Sequence, residues 1–164
     1  CGEDVFATGL AGGFNGDYVK ALLQNDGIEN QFTSIKNETR SCINILAEDE
    51  TSTEFLEPGA PVSKEEVEQF FKDFDPMIEK SDVLTISGSV PAGVPKDVYA
   101  RMVNRIKEKG KRVILDTSGE ALEEGIKAGP TMIKPNDEEL EAILGVKITD
   151  RLQTVDAAKK MRDQ

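Results

Sequence analysis

Three apolar runs in this sequence end abruptly in residues able to handle phosphate groups or cations: "ISGSVPAG" at 86–93, "ILDTSGEAL" at 114–122 and "IKPNDEEL" at 133–140. In the last of these, Asn136 and Glu139 have the spacing of a capping box, and the carboxylates suit the positive end of a helix dipole. That accounts for the acidic residues without any function. It does not account for Lys134, because an ammonium group at the mouth of a buried strand is costly unless it meets an anion. A lysine beside a helix N-terminus can contact nucleotide phosphates, and Glu139 on the first turn can reach a magnesium ion directly or through water.

The other two stretches each admit two readings. Asp116 stands where it could organise a cation or cap the helix that follows. In "SGSVPAG", Gly88 and Gly93 permit close backbone approach and Pro91 holds the chain extended, so the loop could offer amides and hydroxyls, Ser87 and Ser89 among them, to a sugar or phosphate. A tight turn from strand to helix explains the same residues. Arg40, at the head of a β-hairpin, could hold a phosphate bidentately as lysine cannot. On an exposed edge it needs no such role.

The elements that must position these residues alternate between strand and helix. A strand at Asp4–Leu10 closes in the glycine-rich "AGGFNGD", and a helix follows with Tyr18, Leu22 and Leu23 as its apolar face, ending near Gly27. Residues 28–34 read as extended. "RSCINILAE" and "TEFLEPG" then alternate polar with apolar on either side of the turn "DETS", which predicts a hairpin with one apolar face. Ser63 and Glu66 have capping-box spacing at the head of a helix that carries Val67, Phe70 and Phe71. Strands at 82–87, 112–116 and 131–134 follow, with helices between them at about Lys96–Lys109 and Gly119–Lys127. Short apolar strands, each leading into a helix, predict a doubly wound α/β core whose ligands lie beyond the carboxyl ends of the strands. On this reading Ser87, Ser89, Asp116, Ser118, Lys134 and Asn136 line one rim.

Composition excludes several classes. With 31 acidic against 20 basic residues, a net charge of −11 would repel a nucleic acid, so any phosphate bound must be small and locally held. No apolar run approaches the roughly 20 residues that span a bilayer, so membrane insertion is not expected. The absence of histidine removes Ser-His-Asp and Cys-His chemistry from these 164 residues. The two cysteines, Cys1 and Cys42, form no disulfide framework or CxxC spacing, which fits a reducing cytoplasm. "AGGFNGD" lacks the G-x-G-x-x-G spacing of a dinucleotide site. The start at Cys1 suggests a piece of a longer chain.

Taken together, "TRSCINIL", "TEFLEPG", "ISGSVPAG", "VILDTSGEAL" and "MIKPNDEELE" resemble, in content and order, the ribokinase-like sugar kinases of the phosphofructokinase B group. The tagatose-6-phosphate kinases and 1-phosphofructokinases are the most similar. The resemblance implies a three-layer α/β/α sandwich with a mostly parallel sheet and a small β lid. The lid would be residues 39–59, with the core divided into 1–38 and 60–164. Lids in this family often pair between subunits, which makes a homodimer through the lid an expectation.

The implied reaction is transfer of the γ-phosphoryl group of ATP, with Mg2+, to a hydroxyl of a sugar phosphate. Tagatose 6-phosphate giving tagatose 1,6-bisphosphate is placed first, 1-phosphofructokinase activity second, and a noncatalytic sugar or nucleotide binding module third. By motif, Arg40 corresponds to the contact with the sugar's existing phosphate, Ser89 to a substrate-contacting serine, and Lys134 and Asn136 to residues near the ATP phosphates. Glu139 corresponds to the magnesium-associated glutamate and Asp116 to a supporting residue. Cys42 stands where related phosphofructokinases often carry asparagine, which favours the tagatose-type enzymes. The family's early "GGKG"-like sugar loop and late "GAGD"-like motif have no counterpart in this sequence. The general base is therefore expected beyond Gln164, and these residues alone are not expected to turn over.

Overall fold

The computed structural model describes residues 2–162; Cys1 lies outside them. The chain divides into two compact units, one holding residues up to Met77 together with Pro91–Val94, the other Ile78–Val90 and the described residues from Pro95 onward.

In the first unit, strand β1 (Phe6–Ala11) leads into helix α1 (Gly13–Asn25), which returns the chain to strand β2 (Glu29–Ser34), paired parallel to β1 from Phe6↔Glu29 to Ala11↔Ser34. Parallel neighbours require such a crossover. The apolar face expected for α1 is not its packed face. Gly16 is its buried residue, whereas Phe14, Tyr18 and Leu22, spaced four apart, form an exposed stripe, with Phe14 and Tyr18 stacked at 6.4 Å. A Cβ at Gly16 would lie 3.0 Å from the Ala11 carbonyl carbon, so the helix approaches β1 through its smallest residue.

The hairpin is present as strands β3 (Cys42–Leu46) and β4 (Ser52–Leu56), paired antiparallel in the register Ile43↔Phe55 and Ile45↔Thr53. Alternation puts Ile43, Ile45 and Phe55 on one face. That face is apolar as expected, yet all three residues are exposed by more than half.

Helix α2 (Lys64–Lys80) buries Val67, Phe70, Phe71, Phe74 and Met77 at helical spacing, and Phe70 packs on Phe71 and Phe74 with ring centroids 5.6 and 5.5 Å apart. Its Ser63–Glu66 capping box forms: the Glu66 amide donates to Ser63 Oγ at 3.2 Å, and the Ser63 amide donates to the Glu66 carboxylate at 2.7 Å.

The second unit is built on three parallel strands in the order β5 (Val83–Ser87), β6 (Arg112–Asp116) and β7 (Met132–Ile133). Helix α3 (Val98–Glu108) joins β5 to β6, and α4 (Gly119–Lys127) joins β6 to β7. The strand ends agree with the expected bounds to within a residue, and α4 coincides with its expected span. Val113 and Leu115 of the central strand are fully buried with Val103 and Ile106 of α3 and Leu122 of α4. Beyond β7, α5 (Asp137–Leu144) and α6 (Arg151–Arg162) close a smaller cluster of Leu140, Ala157 and Met161.

Glu66 gives this fold an acid dependence. Its carboxylate accepts from the Ser63 amide and from the Lys36 amide, and these bonds, Ser63's first, hold it below the usual glutamate range. A lowered folded-state pKa contributes stability above the unfolded value of about 4.3, and that contribution is lost as pH falls through the folded value. Urea midpoints of the protein and of Glu66→Gln are therefore expected to differ most near about pH 7 and to converge toward about pH 3, where both side chains are neutral.

Candidate active site

The parallel register of the second unit decides what its rim contains. Ser87 pairs with Asp116 and Leu115 with Ile133, so the residues that follow β5, β6 and β7 leave the sheet side by side. Lys134, one residue past β7, lies beside Asp116, and its Nζ is 3.2 Å from the carboxylate. The Lys134 amide donates to the Leu115 carbonyl at 3.3 Å, which extends the ladder by one bond. Asp116 is therefore an ion-pair partner of Lys134 and not the cap of the following helix. Because β7 is not buried and Lys134 is exposed, the ammonium does not require an anion to offset a burial cost, contrary to the sequence expectation. The N-cap of α4 is Ser118, with no side-chain cap bond. Lys134 is 67% exposed, so the pair adds little to stability and leaves the ammonium open to solvent.

Asn136 and Glu139 form the expected capping box at the start of α5. Asn136 Oδ1 accepts from the Glu139 amide at 2.8 Å, and Glu139 Oε2 accepts from the Asn136 amide at 2.9 Å. Asp137 and Glu138 complete an acidic first turn that suits the helix dipole.

Ser89 follows Gly88, and Gly88 is held from three sides. Its amide donates to the Asp116 carbonyl at 3.2 Å, and its carbonyl accepts from Thr117 Oγ1 at 2.7 Å and from the Tyr99 hydroxyl at 3.1 Å. Burial pushes the Tyr99 phenol up, so it stays a protonated donor. Sequence reasoning missed both partners: Thr117 is visible in "DTSG" but Tyr99 lies on α3 with no local signal. These bonds tie the loop bearing Ser89 to the strand end bearing Asp116.

Arg40 and Cys42 belong to the first unit. Arg40 is exposed at the base of the hairpin, where its guanidinium donates to the Glu57 carbonyl at 3.2 Å. Across that base the Ser41 amide donates to the Glu57 carboxylate at 2.8 Å, and the Glu57 amide donates to the Ser41 carbonyl at 3.3 Å. Cys42 is a free, exposed thiol at the first position of β3, opposite Leu56.

Among the described residues no three His, Cys, Asp or Glu side chains converge on a metal-sized site. Magnesium bound with a nucleotide takes only one or two protein carboxylates and fills its remaining positions with phosphate oxygens and water. Glu139, on the first turn of α5 with its Oε2 accepting from the Asn136 amide, is a single carboxylate compatible with that requirement. No helix of the described residues is long and apolar enough to cross a membrane.

The family model for pfkB family carbohydrate kinases matches residues 1–164. This chain belongs to that family. Among solved structures, it is similar to phosphofructokinase-2 from Escherichia coli in complex with potassium, with 28% identity, a TM-score of 0.84, and coverage of 99% of this chain and 53% of that one. It is also similar to a protein from Thermotoga maritima described as a possible 1-phosphofructokinase, with 29% identity, a TM-score of 0.85, and coverage of 95% and 51%. Ribokinase from Giardia lamblia, at 18% identity and a TM-score of 0.68, shares the fold. The fold is therefore ribokinase-like α/β, as the motifs imply, and this pfkB-family chain spans about half the length of the solved structures it matches.

The capping box that opens α5 has a measurable structural share. Asn136→Ala is expected to lower the unfolding free energy by about 1 kcal/mol and Asn136→Ser to restore most of it, as read from urea denaturation.

Proposed function

We propose that the protein is an ATP-dependent sugar-phosphate kinase that transfers the γ-phosphoryl group to a sugar hydroxyl. The family match over residues 1–164 carries this reading, and the strand-end rim of Asp116, Lys134, Asn136 and Glu139 supports it. Phosphoryl transfer needs positioning and charge neutralisation more than covalent chemistry from the protein. In a chain of net charge −11, phosphates require locally placed cations and helix N-termini.

In this reading Arg40 takes the sugar's existing phosphate through its guanidinium, and Ser89 contacts the sugar. Cys42 lies beside the sugar and sets which sugar fits. Lys134 gives its ammonium to the ATP phosphates, exchanging part of its pairing with Asp116 for theirs. Asn136 and Glu139 hold the N-terminus of α5 toward the nucleotide, with Glu139 oriented for a water-mediated contact to Mg2+. The bound ion would neutralise charge building on the transferred phosphoryl group. No residue of this chain is assigned as the general base.

Tagatose 6-phosphate is the substrate we place first, on Cys42 and "TEFLEPG". A specific observation favours a second reading, fructose phosphates: one similar structure is phosphofructokinase-2 from Escherichia coli in complex with fructose-6-phosphate, at 27% identity. The exposed face of Ile43, Ile45 and Phe55 supports the hairpin as a lid that pairs two subunits of a cytoplasmic enzyme. A single sedimenting species of monomer mass would contradict that pairing.

Coupled ADP release by the full natural protein, with ATP, Mg2+ and each of tagatose 6-phosphate, fructose 1-phosphate and fructose 6-phosphate, tests the proposal. One sugar is expected to turn over. Arg40→Ala should raise KM for it by roughly tenfold or more, the scale of a lost hydrogen bond to a charged group, and Lys134→Ala should raise KM for ATP instead. No ADP with any of the three sugars would contradict assignment as a kinase of these sugar phosphates.

A further inference from the structure

Helix α1 begins without a cap of its own. Its N-cap position is Gly12, which has no side chain, and its first turn contains no acidic residue. The amides at its second and third positions would be left without acceptors. One carboxylate from 23 residues further along takes both. Glu38 Oε1 accepts from the Asn15 amide at 2.6 Å, and its Oε2 accepts from the Phe14 amide at 3.2 Å. These are charge-assisted bonds at the end of a helix where the dipole favours an anion.

The glycine pair in "AGGFNGD" makes room for this contact. A Cβ at Gly13, whose φ is 67°, would strike the Glu38 carboxylate, and one at Gly12 would strike the carbonyls of Ile35 and Asn37. The residues after Glu38 are laced to the same helix end. The Thr39 amide donates to the Gly12 carbonyl at 2.9 Å, and the Gly12 amide donates to Thr39 Oγ1 at 3.0 Å. The Asn15 side-chain amide donates to the Thr39 carbonyl at 2.9 Å and to Ser41 Oγ at 3.0 Å. The residue between Thr39 and Ser41 is Arg40.

We propose that Glu38 is a positioning residue for the sugar-phosphate contact: by closing the N-terminus of α1 with its carboxylate, it fixes the Glu38–Ser41 segment from which Arg40 reaches the phosphate. This rests on Arg40 being that phosphate's contact. A guanidinium on a mobile segment must be ordered at each binding event, and that cost weakens binding without touching the chemical step. A fixed segment avoids it. The carboxylate supplies two acceptors to two amides, and a glutamine in its place supplies one acceptor and turns a donor toward the other amide.

The test compares Glu38→Gln, Glu38→Asp and Arg40→Ala in the full natural protein, through KM for the sugar phosphate, KM for ATP, kcat, and amide hydrogen exchange at residues 39–41. Glu38→Gln is expected to raise sugar-phosphate KM roughly tenfold, to leave kcat and ATP KM within about twofold, and to speed exchange at 39–41. Unchanged sugar-phosphate KM in Glu38→Gln, beside a raised KM in Arg40→Ala, would overturn the inference and leave Glu38 a helix cap only. Unchanged KM in Arg40→Ala would overturn both the inference and the role of Arg40 on which it rests. If Glu38→Gln does not fold, Glu38→Asp decides, since it keeps the anion at the helix start but is one methylene too short to reach both amides: the same KM pattern supports the inference, and its absence overturns it.

Discussion

Neighbouring parallel strands cannot be joined by a tight turn, and the rest of this structure follows from that constraint. Each pair needs a crossover, in this protein a helix, so the carboxyl ends of β1, β5 and β6 each lead into the start of a helix. In the second unit this puts the polar residues that follow β5, β6 and β7 on one rim. The register then fixes which of them meet. Because Leu115 pairs with Ile133, the residues that follow them, Asp116 at the end of β6 and Lys134 just past β7, are neighbours. In the first unit the same constraint sets the N-terminus of α1 beyond β1, where the chain returning after β2 brings Glu38 to it.

Both helix starts place one of the protein's own carboxylates on backbone amides. With a net charge of −11, the long-range field works against phosphate, and attraction has to come from amides and cations within a few ångströms. At α1 the amides are satisfied by the protein's own carboxylate. At α5 the capping box satisfies them reciprocally, and Lys134, two residues before the N-cap, stays exposed while paired with Asp116. The first carboxylate comes from a segment remote in sequence, whereas the second comes from the helix's own first turn.

What is legible in the sequence is local. The capping boxes at Ser63–Glu66 and Asn136–Glu139 can be read because both partners lie within one helical turn. The α4 helix at Gly119–Lys127 and the strand at 112–116 are legible from an abrupt change of period. Contacts made by folding are not. Nothing near Lys134 names Asp116 as its partner, and nothing near Gly12 announces that its missing cap comes from Glu38. The signal for the latter is negative: a helix start with no Ser, Thr, Asp or Asn before it and no acid in its first turn. The stripe of Tyr18 and Leu22 passes for the packed face because periodicity reports that a face is apolar and cannot say what covers it. Gly16, without a side chain, carries no weight in that pattern although the helix packs there. The hairpin's apolar face is a second case, correct in its alternation and exposed in the fold.

The most direct test is a crystal structure of the full natural protein with a nonhydrolysable ATP analogue, Mg2+ and tagatose 6-phosphate. If Arg40, Lys134 and the start of α5 serve one phosphoryl transfer, the sugar's 6-phosphate will lie within hydrogen-bond distance of the Arg40 guanidinium. The nucleotide phosphates will lie beside Lys134 at the N-terminus of α5. Nucleotide or sugar phosphate bound away from these residues would contradict that site.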